Sequence, residues 1–273
     1  MIIDFHTHVF PDKIAMPALN TMRKRLVKMN NIDVPYYMAY PLCTDGTLEG
    51  HKQMMKRNHI DISVTLPVAT NEGQTDSINR FAESTRSDDI IPFGALYPYQ
   101  KNWEYVLCDL AERGFKGIKF HPEFQQFYID GKEGLAILKK AEKLGLIVVL
   151  HAGTDPEYPD GDHCTPIRLK HVLEEVKGDN IIAAHLGGMD CFDDVEKYLI
   201  DSPLYFDTSY VSKILSPEQY ARIIINHGPD KIIFGSDSPW QDPAETLGAL
   251  EGVGLSAEEM EKILYKNALK LLK

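Results

Sequence analysis

Two histidines near the start of the chain are separated by one residue, a spacing that brings both imidazoles to one face of a β-strand. His6 and His8 lie within the segment MIIDFHTHVF, residues 1–10. Successive side chains of a strand point to opposite faces, so residues at i and i+2 can bind one metal ion together. Such a pair also occurs as ordinary polar chemistry at strand ends. The spacing therefore predicts half of a metal site, and the remaining ligands must come from elsewhere in the chain.

Residues of metal-ligand type also end several later apolar runs. Uninterrupted apolar runs are typical of parallel strands that are covered on both faces. Eight such runs, each followed by a helical pattern, occur at Ile2–His6, Asp61–Leu66, Ile90–Leu96, Gly117–His121, Leu146–His151, Asn180–His185, Leu204–Asp207 and Lys231–Asp237. Beyond the first run, the residues at or near these ends that we take as site candidates are Lys119, His121, His151, His185 and Asp237. A single one of these residues is ordinarily structural, but this many at successive strand ends predict one shared site.

Eight strands alternating with helices over roughly 250 residues have the size and rhythm of an α/β fold of the (β/α)8, or TIM barrel, type. We therefore predict a single barrel domain over residues 1–273, with the active site at the carboxyl ends of the strands. An open doubly wound sheet is the structural alternative. Two long connections are expected to cover the pocket: an insertion at about residues 9–50, with a helix near Ile14–Met29, and the loop Gly153–Pro166.

Helix-start signals support this alternation of strands and helices. An N-cap residue followed by proline is typical of the first turn of a helix, and a serine with glutamate three residues later forms a capping box. The cap-and-proline pairs are Thr165-Pro166, Ser216-Pro217 and Asp242-Pro243, and the capping box is Ser256 with Glu259. The last of these predicts a C-terminal helix that packs on the outside of the barrel.

Composition excludes several classes of protein. A net charge of −11 without a long basic stripe argues against a nucleic-acid partner. The four cysteines form no CxxC pair, so neither a zinc knuckle nor a disulfide scaffold is indicated. No apolar run reaches the roughly 20 residues of a membrane helix, and no signal-peptide pattern opens the chain, so we expect a cytoplasmic protein without a membrane partner. A homodimer is left open as the oligomeric state.

Four of the motifs resemble a known family. The motifs DFHTH on strand one, LHAG on strand five, AHLGG on strand six and FGSDSP on strand eight resemble the amidohydrolase superfamily. Within it, they resemble the amidohydrolase-related (amidohydrolase 2) metal-dependent hydrolases that include aminocarboxymuconate semialdehyde decarboxylase-like enzymes. The resemblance spans nearly the whole barrel, and it implies the fold more strongly than it implies the substrate or the reaction.

The resemblance implies that His6, His8, His151 and Asp237 bind one divalent ion, with zinc as the first choice and manganese or iron as alternatives. A catalytic zinc keeps a position for water and lowers the pKa of that water to near neutrality, so we expect this water to be the nucleophile. His185 is then expected just outside the ligand shell, where it moves a proton, and Asp237 assists as general base. A fifth-ligand role or a plain structural role for His185 stays open.

The other candidate residues concern the substrate. Alternation places Lys119 and His121 on one face of strand four. Lys119 is either a cation for a substrate carboxylate or, as in some members of the superfamily, a carboxylated lysine that bridges two metals. His163 and Tyr210 lie in loops predicted to surround the mouth of the barrel, where either could equally be rim packing. Arg168 and Lys213 are plausible anion receptors nearby.

The sequence thus predicts a metal-dependent hydrolase, mononuclear and zinc-binding, that attacks a small, carboxylate-bearing molecule with a metal-activated water. A non-oxidative decarboxylase on the same metal site is the alternative reaction. A TatD-like metal-dependent nuclease is a less favoured alternative. That family also opens with His-x-His, but its pattern includes a glutamate ligand on strand four, where this chain has Lys119 and His121. A barrel used only for binding is the non-enzyme alternative.

Overall fold

The computed structural model describes residues 1–273 and contains a ring of parallel strands surrounded by helices. The hydrogen-bonded order is β1-β2-β3 in one ladder and β4-β5-β6-β7-β8-β9 in the other. The strands are β1 Ile3–Thr7, β2 Ile62–Thr65, β3 Ile90–Pro92, β4 Gly94–Ala95, β5 Gly117–Phe120, β6 Ile147–Leu150, β7 Ile181–Ala183, β8 Tyr205–Asp207 and β9 Ile232–Ile233. Each follows its neighbour in sequence order, as in a (β/α)8 barrel.

Two seams join these ladders into the barrel. At the first, β3 and β4 are one extended stretch interrupted at Phe93, which the sequence predicts as a single strand from Ile90 to Leu96. At the second, the last strand returns to the first: the Phe5 amide donates to the Phe234 carbonyl at 2.9 Å, and the Asp237 amide to the His6 carbonyl at 2.8 Å. The ring is therefore closed, and the predicted (β/α)8 fold is confirmed.

The helices begin and end at α1 Ala15–Met29, α2 Tyr36–Ala39, α3 Leu48–Arg57, α4 Thr75–Ser84, α5 Trp103–Glu112, α6 Pro122–Gln125, α7 Lys132–Leu144, α8 Pro166–Val172, α9 Phe192–Tyr198, α10 Pro217–His227, α11 Pro243–Glu251, α12 Ala257–Glu261 and α13 Asn267–Leu272. The predicted Ser216, Asp242 and Ser256 caps are formed, whereas the Thr165 side chain makes no cap hydrogen bond. A π-helical turn, Lys262–Lys266, separates α12 from α13 within the predicted C-terminal helix.

Strand alternation divides the buried apolar residues into two clusters. In β6, Ile147 and Val149 join a smaller cluster shared by residues of β1, β2, β7, β8 and β9, whereas Val148 and Leu150 join the larger cluster that includes residues of the surrounding helices. The smaller cluster packs the interior of the barrel, as expected for inward-facing positions of alternate strands. It forms the floor beneath the polar residues at the strand ends. No helix is both long and apolar enough to cross a membrane.

Candidate active site

The carboxyl ends of the first and last strands bring together three of the predicted metal ligands. His8 Nε2 lies 3.0 Å and His6 Nε2 3.5 Å from Asp237 Oδ1. The three residues form one group whose ligand atoms all lie within 4.8 Å of one another. The pairing register of β1 shifts between Asp4 and Thr7, so the strand is irregular where it presents these rings. The predicted His-x-His geometry nevertheless converges on a single point.

Hydrogen bonds on the far side of each ring fix where its proton lies. His6 Nδ1 donates to Asp207 Oδ2 at 2.8 Å, and His8 Nδ1 donates to the Leu66 carbonyl at 2.8 Å. Burial, with the charge of Lys119, lowers the pKa of His6 to about 4, so this ring is neutral near pH 7. A neutral ring whose proton is on Nδ1 has a bare lone pair on Nε2. With Nδ1 as the donor on the far side, each ring turns its Nε2 toward the carboxylate oxygen of Asp237, where it can serve as a ligand.

Asp207, which ends β8, orients this arrangement although the sequence prediction did not include it. Its Oδ2 accepts from His6, and its Oδ1 accepts from the Ser209 hydroxyl at 2.5 Å and the His185 amide at 3.0 Å. Burial alone would raise the pKa of Asp207, but its interaction with His6 and the hydrogen bond from Ser209 outweigh burial and hold that pKa well below its usual range. The available signal was its position as the polar end of the seventh predicted strand.

His151 and His185 meet beside this group. The Ser209 hydroxyl donates to Asp207, so His185 Nδ1 is left to donate to the Ser209 carbonyl at 3.0 Å. His151 Nε2 donates to the Thr154 carbonyl at 2.8 Å. The remaining nitrogens, His151 Nδ1 and His185 Nε2, are 3.0 Å apart, and on neutral rings neither carries a proton. Two lone pairs at this distance need a shared proton or a cation near them.

A second group of two histidines and one aspartate, formed by His121, His151 and Asp155, has its protons placed differently. His121 Nδ1 accepts from the Phe124 amide at 3.4 Å, so its Nε2 donates to Asp155 Oδ2 at 3.2 Å. The His121 ring is stacked between Phe124 and His151, with centroids 3.7 and 3.9 Å away. In this group the Nε2 atoms of both histidines are donors, so neither Nε2 atom is free to bind a metal ion.

Lys119 points into the site rather than into solvent. Its side chain is 1% exposed, and its Nζ lies 3.2 Å from His6 Nε2. Burial lowers the pKa of Lys119 to about 8, although Asp207 and Asp237 oppose this shift. The lysine thus shares the buried end of the pocket with the His6, His8 and Asp237 group, as its strand register predicts.

The remaining substrate candidates, Tyr210, His163 and Arg168, differ in which residues they contact. Tyr210 is half-buried at the end of β8 with a left-handed φ of 63°, and burial, with the charge of Asp237, raises its pKa to about 12, so its hydroxyl stays protonated. His163 faces Glu123, with Nδ1 2.6 Å from Oε2. Arg168 pairs with Asp130 and Asp162, at 3.0 and 2.9 Å. The structure therefore places Tyr210 near the metal-ligand candidates, while His163 and Arg168 contact carboxylates of their own.

Solved structures with this fold come from several bacteria. One is 5-carboxyvanillate decarboxylase from Sphingomonas paucimobilis, with a TM-score of 0.68, 13% identity, and coverage of 99% of this chain and 98% of that one. Another is 2,6-dihydroxybenzoate decarboxylase from Rhizobium, with a TM-score of 0.69, 14% identity and the same coverage. A third is a probable 2-pyrone-4,6-dicarboxylic acid hydrolase from Acinetobacter baumannii with citric acid bound, with a TM-score of 0.65, 17% identity and the same coverage. At these identities the likeness establishes the fold.

Sequence comparison gives the family. No curated protein matches the chain. The sequence model described as Amidohydrolase matches residues 3–273, which is nearly the whole chain. Members of this family are metal-dependent hydrolases or decarboxylases, and the structure gathers candidate metal-binding residues at the strand ends where such an enzyme needs them. The chain is therefore an enzyme of the Amidohydrolase family, within the amidohydrolase superfamily.

Proposed function

We propose that His6, His8, His151 and Asp237 hold one divalent ion, zinc in the first instance, in a hydrolase that acts on a small molecule. The observation that carries this proposal is the convergence of the Nε2 atoms of His6 and His8 on Asp237 Oδ1, at 3.5 and 3.0 Å, while the Nδ1 atom of each ring donates to an acceptor on its far side. Tetrahedral zinc with bonds of about 2.0–2.1 Å separates its ligands by roughly 3.3–3.4 Å. The donors of His6, His8 and Asp237 therefore fit such an ion in both chemistry and spacing, and His151, next to them, has Nδ1 as its remaining nitrogen.

Neighbouring residues supply orientation and proton transfer. A divalent ion bound there supplies a water of near-neutral pKa and polarises a substrate oxygen. Asp207 fixes the His6 ring by accepting from Nδ1, the arrangement in which a carboxylate behind an imidazole makes it a better ligand. His185 has a bare Nε2 directed at His151 and its Nδ1 proton anchored on Ser209, so it can take a proton from a water or substrate at that edge. His185 as a further ligand would use the same lone pair.

Two other residues suit contacts with a substrate. Lys119 is buried next to the proposed ligands, where its ammonium can pair with a substrate carboxylate. Its alternative role is a carboxylated lysine bridging two ions, and the lowered pKa favours this role too, because carboxylation requires the neutral form of the amine. Tyr210 offers a protonated hydroxyl near Asp237. In both roles Lys119 acts inside the pocket.

A decarboxylase is the second candidate, because two similar structures bear the names of decarboxylases and one that of a hydrolase. Both reactions need an oriented acid group and a proton carrier at the same place. A decarboxylase would use His185 or Asp237 to protonate carbon, whereas a hydrolase would use them to remove a proton from water. The candidate residues are common to the two reactions.

The deciding experiment combines metal analysis with two assays. Protein purified without chelator should contain about one transition metal ion per chain and lose activity on chelation. The metal-loaded enzyme is then incubated with aromatic carboxylic acids while CO2 is followed, and with lactones and esters while acid release is followed. Acid release without CO2 supports the hydrolase, and CO2 release supports the decarboxylase. Full activity in metal-free protein would refute the proposed metal role.

A further inference from the structure

The first strand contains one residue more than regular pairing with its neighbour allows. Between its register contacts, β1 advances three residues, from Asp4 to Thr7, whereas the paired segment of β2 advances two. An extra residue in one strand of a pair is a β-bulge, which bends the strand and re-aims the side chains beyond it. This bulge lies at the start of the His-x-His pair.

Main-chain hydrogen bonds place the bulge at Phe5 and His6. The Phe5 amide and the His6 carbonyl both bond to the last strand segment, the first to Phe234 and the second to Asp237. In a regular strand, the groups that face one neighbour belong to alternate residues and not to consecutive ones. The chain therefore turns over by one position between Phe5 and His6.

The bulge decides which face of β1 carries the two histidines. Ile3 and Phe5 pack in the smaller cluster, inside the barrel. Strict alternation from these residues would send the side chains of His6 and His8 outward, toward the surrounding helices. Instead, both rings face Asp237 at the strand ends. The extra residue is therefore what brings the histidine pair to the site.

Asp4 lies on the outer face of the strand, where it is buried and bonds to the main chain of both ligand segments. Its Oδ1 accepts from the His6 amide at 3.3 Å and from the Ser236 amide at 2.9 Å. Its Oδ2 accepts from the Ser236 hydroxyl at 2.6 Å, and that hydroxyl accepts from the Ser238 amide at 3.0 Å. Asp4 therefore fixes the bulged residue directly and, through Ser236, the residues on both sides of Asp237.

The segment after β9 leaves room for the bulge at a glycine. A Cβ atom on Gly235 would lie 2.9 Å from the Cβ atom of His6 and 3.4 Å from that of Asp207. The first distance is well inside the optimal separation of two carbon atoms, about 3.5–4.0 Å, so His6 would have to move. The backbone of Gly235 is not left-handed. Space for the turned histidine, and not backbone conformation, therefore requires glycine here.

We propose that Asp4 is a positioning residue for the metal site, and that it acts with Gly235 to keep His6 turned into the barrel. Asp4 supplies the acceptor that stabilises the bulge, and Gly235 supplies the space for it. Asp4 acts through the main chain of His6 and of the residues beside Asp237, because its own side chain lies on the outer face. This inference rests on the proposed function in its last step, since the turned ring serves catalysis only as a metal ligand.

The orientation of His6 can be measured in protein without metal. Its Nδ1 proton is donated to Asp207 at 2.8 Å inside the barrel. In NMR spectra of protein with isotope-labelled histidine, this buried ring N–H should give a slowly exchanging signal, assigned by its loss in His6→Ala. Asp4→Ala should lose the signal, because the bulge then has no side-chain acceptor. Asp4→Asn should retain it, because the amide oxygen can still accept from the His6 and Ser236 amides.

Zinc affinity links the bulge to the metal site. The dissociation constant of zinc is measured by competition with a chelator, in the same preparations of folded protein. Asp4→Ala should weaken zinc binding by about 10–100-fold, the usual effect of removing a residue that orients a ligand. Asp4→Asn should restore most of this loss.

A second variant disturbs the bulge from the opposite side. Gly235→Ala leaves Asp4 in place but puts a methyl group against His6. It should lose the His6 ring signal and weaken zinc binding as Asp4→Ala does. It also keeps the inference testable if Asp4→Ala does not fold.

Ser63→Ala is the matched control. Ser63 is buried and pairs in register with Asp4, but its hydroxyl bonds to the side chains of Thr7 and His51 and not to the main chain of the bulge. This variant should lower the free energy of unfolding, because it removes buried hydrogen bonds. It should keep the His6 signal and the zinc affinity of the parent.

The outcomes separate this inference from the proposed function. The inference requires the two losses together, so a folded Asp4→Ala or Gly235→Ala protein that shows only one of them, or neither, overturns it. Absence of the His6 signal in the metal-free parent, or its loss in Ser63→Ala, overturns it as well. Failure of the parent to load any metal is instead the failure of the proposed function, and the ring signals of metal-free protein then decide whether Asp4 and Gly235 hold the bulge.

Discussion

Two groups of identical composition, each with two histidines and one aspartate, lie at the strand ends, but only one is prepared for a metal ion. In the group of His6, His8 and Asp237, main-chain and carboxylate acceptors hold the Nδ1 protons, so the Nε2 lone pairs converge. In the group of His121, His151 and Asp155, the Nε2 protons are donated to Asp155 and to the Thr154 carbonyl. The Nε2 hydrogen bonds of the second group tie a loop to the barrel, and only His151 Nδ1 is left as a ligand nitrogen for the proposed ion.

The difference shows that a count of nearby ligand residues does not define a metal site. What differs between the groups is which ring nitrogen meets a fixed acceptor, because that acceptor decides where the single proton of a neutral imidazole lies. Asp207 and the Leu66 carbonyl perform this function for the first group. Variants that remove one aspartate from each group test the contrast directly.

The largest expected effect is in the first group. Asp237→Asn replaces a charged ligand by a neutral amide, and His6→Ala removes a ligand nitrogen, so either change should lower turnover by roughly 10³-fold or more. Bound metal should fall to a small fraction of that in the parent enzyme. Metal analysis by mass spectrometry and turnover of the same preparations measure both effects.

The matched control is Asp155→Asn in the second group. This variant should bind a full complement of metal, because Asp155 accepts a hydrogen bond from His121 and is not a proposed ligand. Comparable metal loss in the two asparagine variants would refute the distinction between the groups, and full activity in Asp237→Asn would refute the ligand assignment.

A smaller effect is expected at His185, which lies between the two groups. His185→Asn should retain the metal and lose rate by about 10²–10⁴-fold, because general acid–base groups contribute on that scale. The acidic limb of the pH–rate profile should change as well, since a proton carrier has been removed. Loss of the metal in this variant would instead make His185 a ligand.

The smallest effect concerns a histidine that, like those of the second group, only donates to a fixed acceptor. His227 Nε2 donates to the Leu204 carbonyl at 3.0 Å, and its ring stacks on Phe206 at 3.7 Å. Burial lowers the pKa of His227 to about 4. Below about pH 6.5 the unfolded chain binds a proton here that the folded chain does not, so this residue should destabilise the fold by ~2 kcal/mol between about pH 7 and pH 5.

Urea unfolding of the parent protein and His227→Gln at both pH values measures this slope. The glutamine variant should lose less stability on acidification, because it has no titrating group at that position. An identical pH dependence in the two proteins would show that folding does not lower the pKa of His227.

Sequence alone predicted the architecture and much of the site because both depend on repeated local patterns. Apolar runs with histidine ends gave the strands, and the motif DFHTH gave the pair that meets Asp237. The same register placed Lys119 in the pocket, where its side chain is 1% exposed. These features follow from strand alternation and from the position of residues along the chain.

Features that depend on partners from distant strands were not predictable in this way. Asp207 is an ordinary strand-end acid until His6 donates to it across the barrel. Arg168 was a plausible anion receptor until Asp130 and Asp162 were seen beside it. The π-helical turn within the C-terminal helix has no sequence signal that we recognise, since the helical spacing of apolar residues continues through it.

The seam between the first and last strands has a consequence for how the protein matures. His8 and Asp237 are 229 positions apart, and they meet where the final strand closes the ring. During synthesis, a nascent chain that has emerged only as far as its seventh strand has the paired histidines but no aspartate to complete their site. A metal ion coordinated by residues from both strands of the seam would therefore stabilise the closed barrel relative to a truncated or partly opened one.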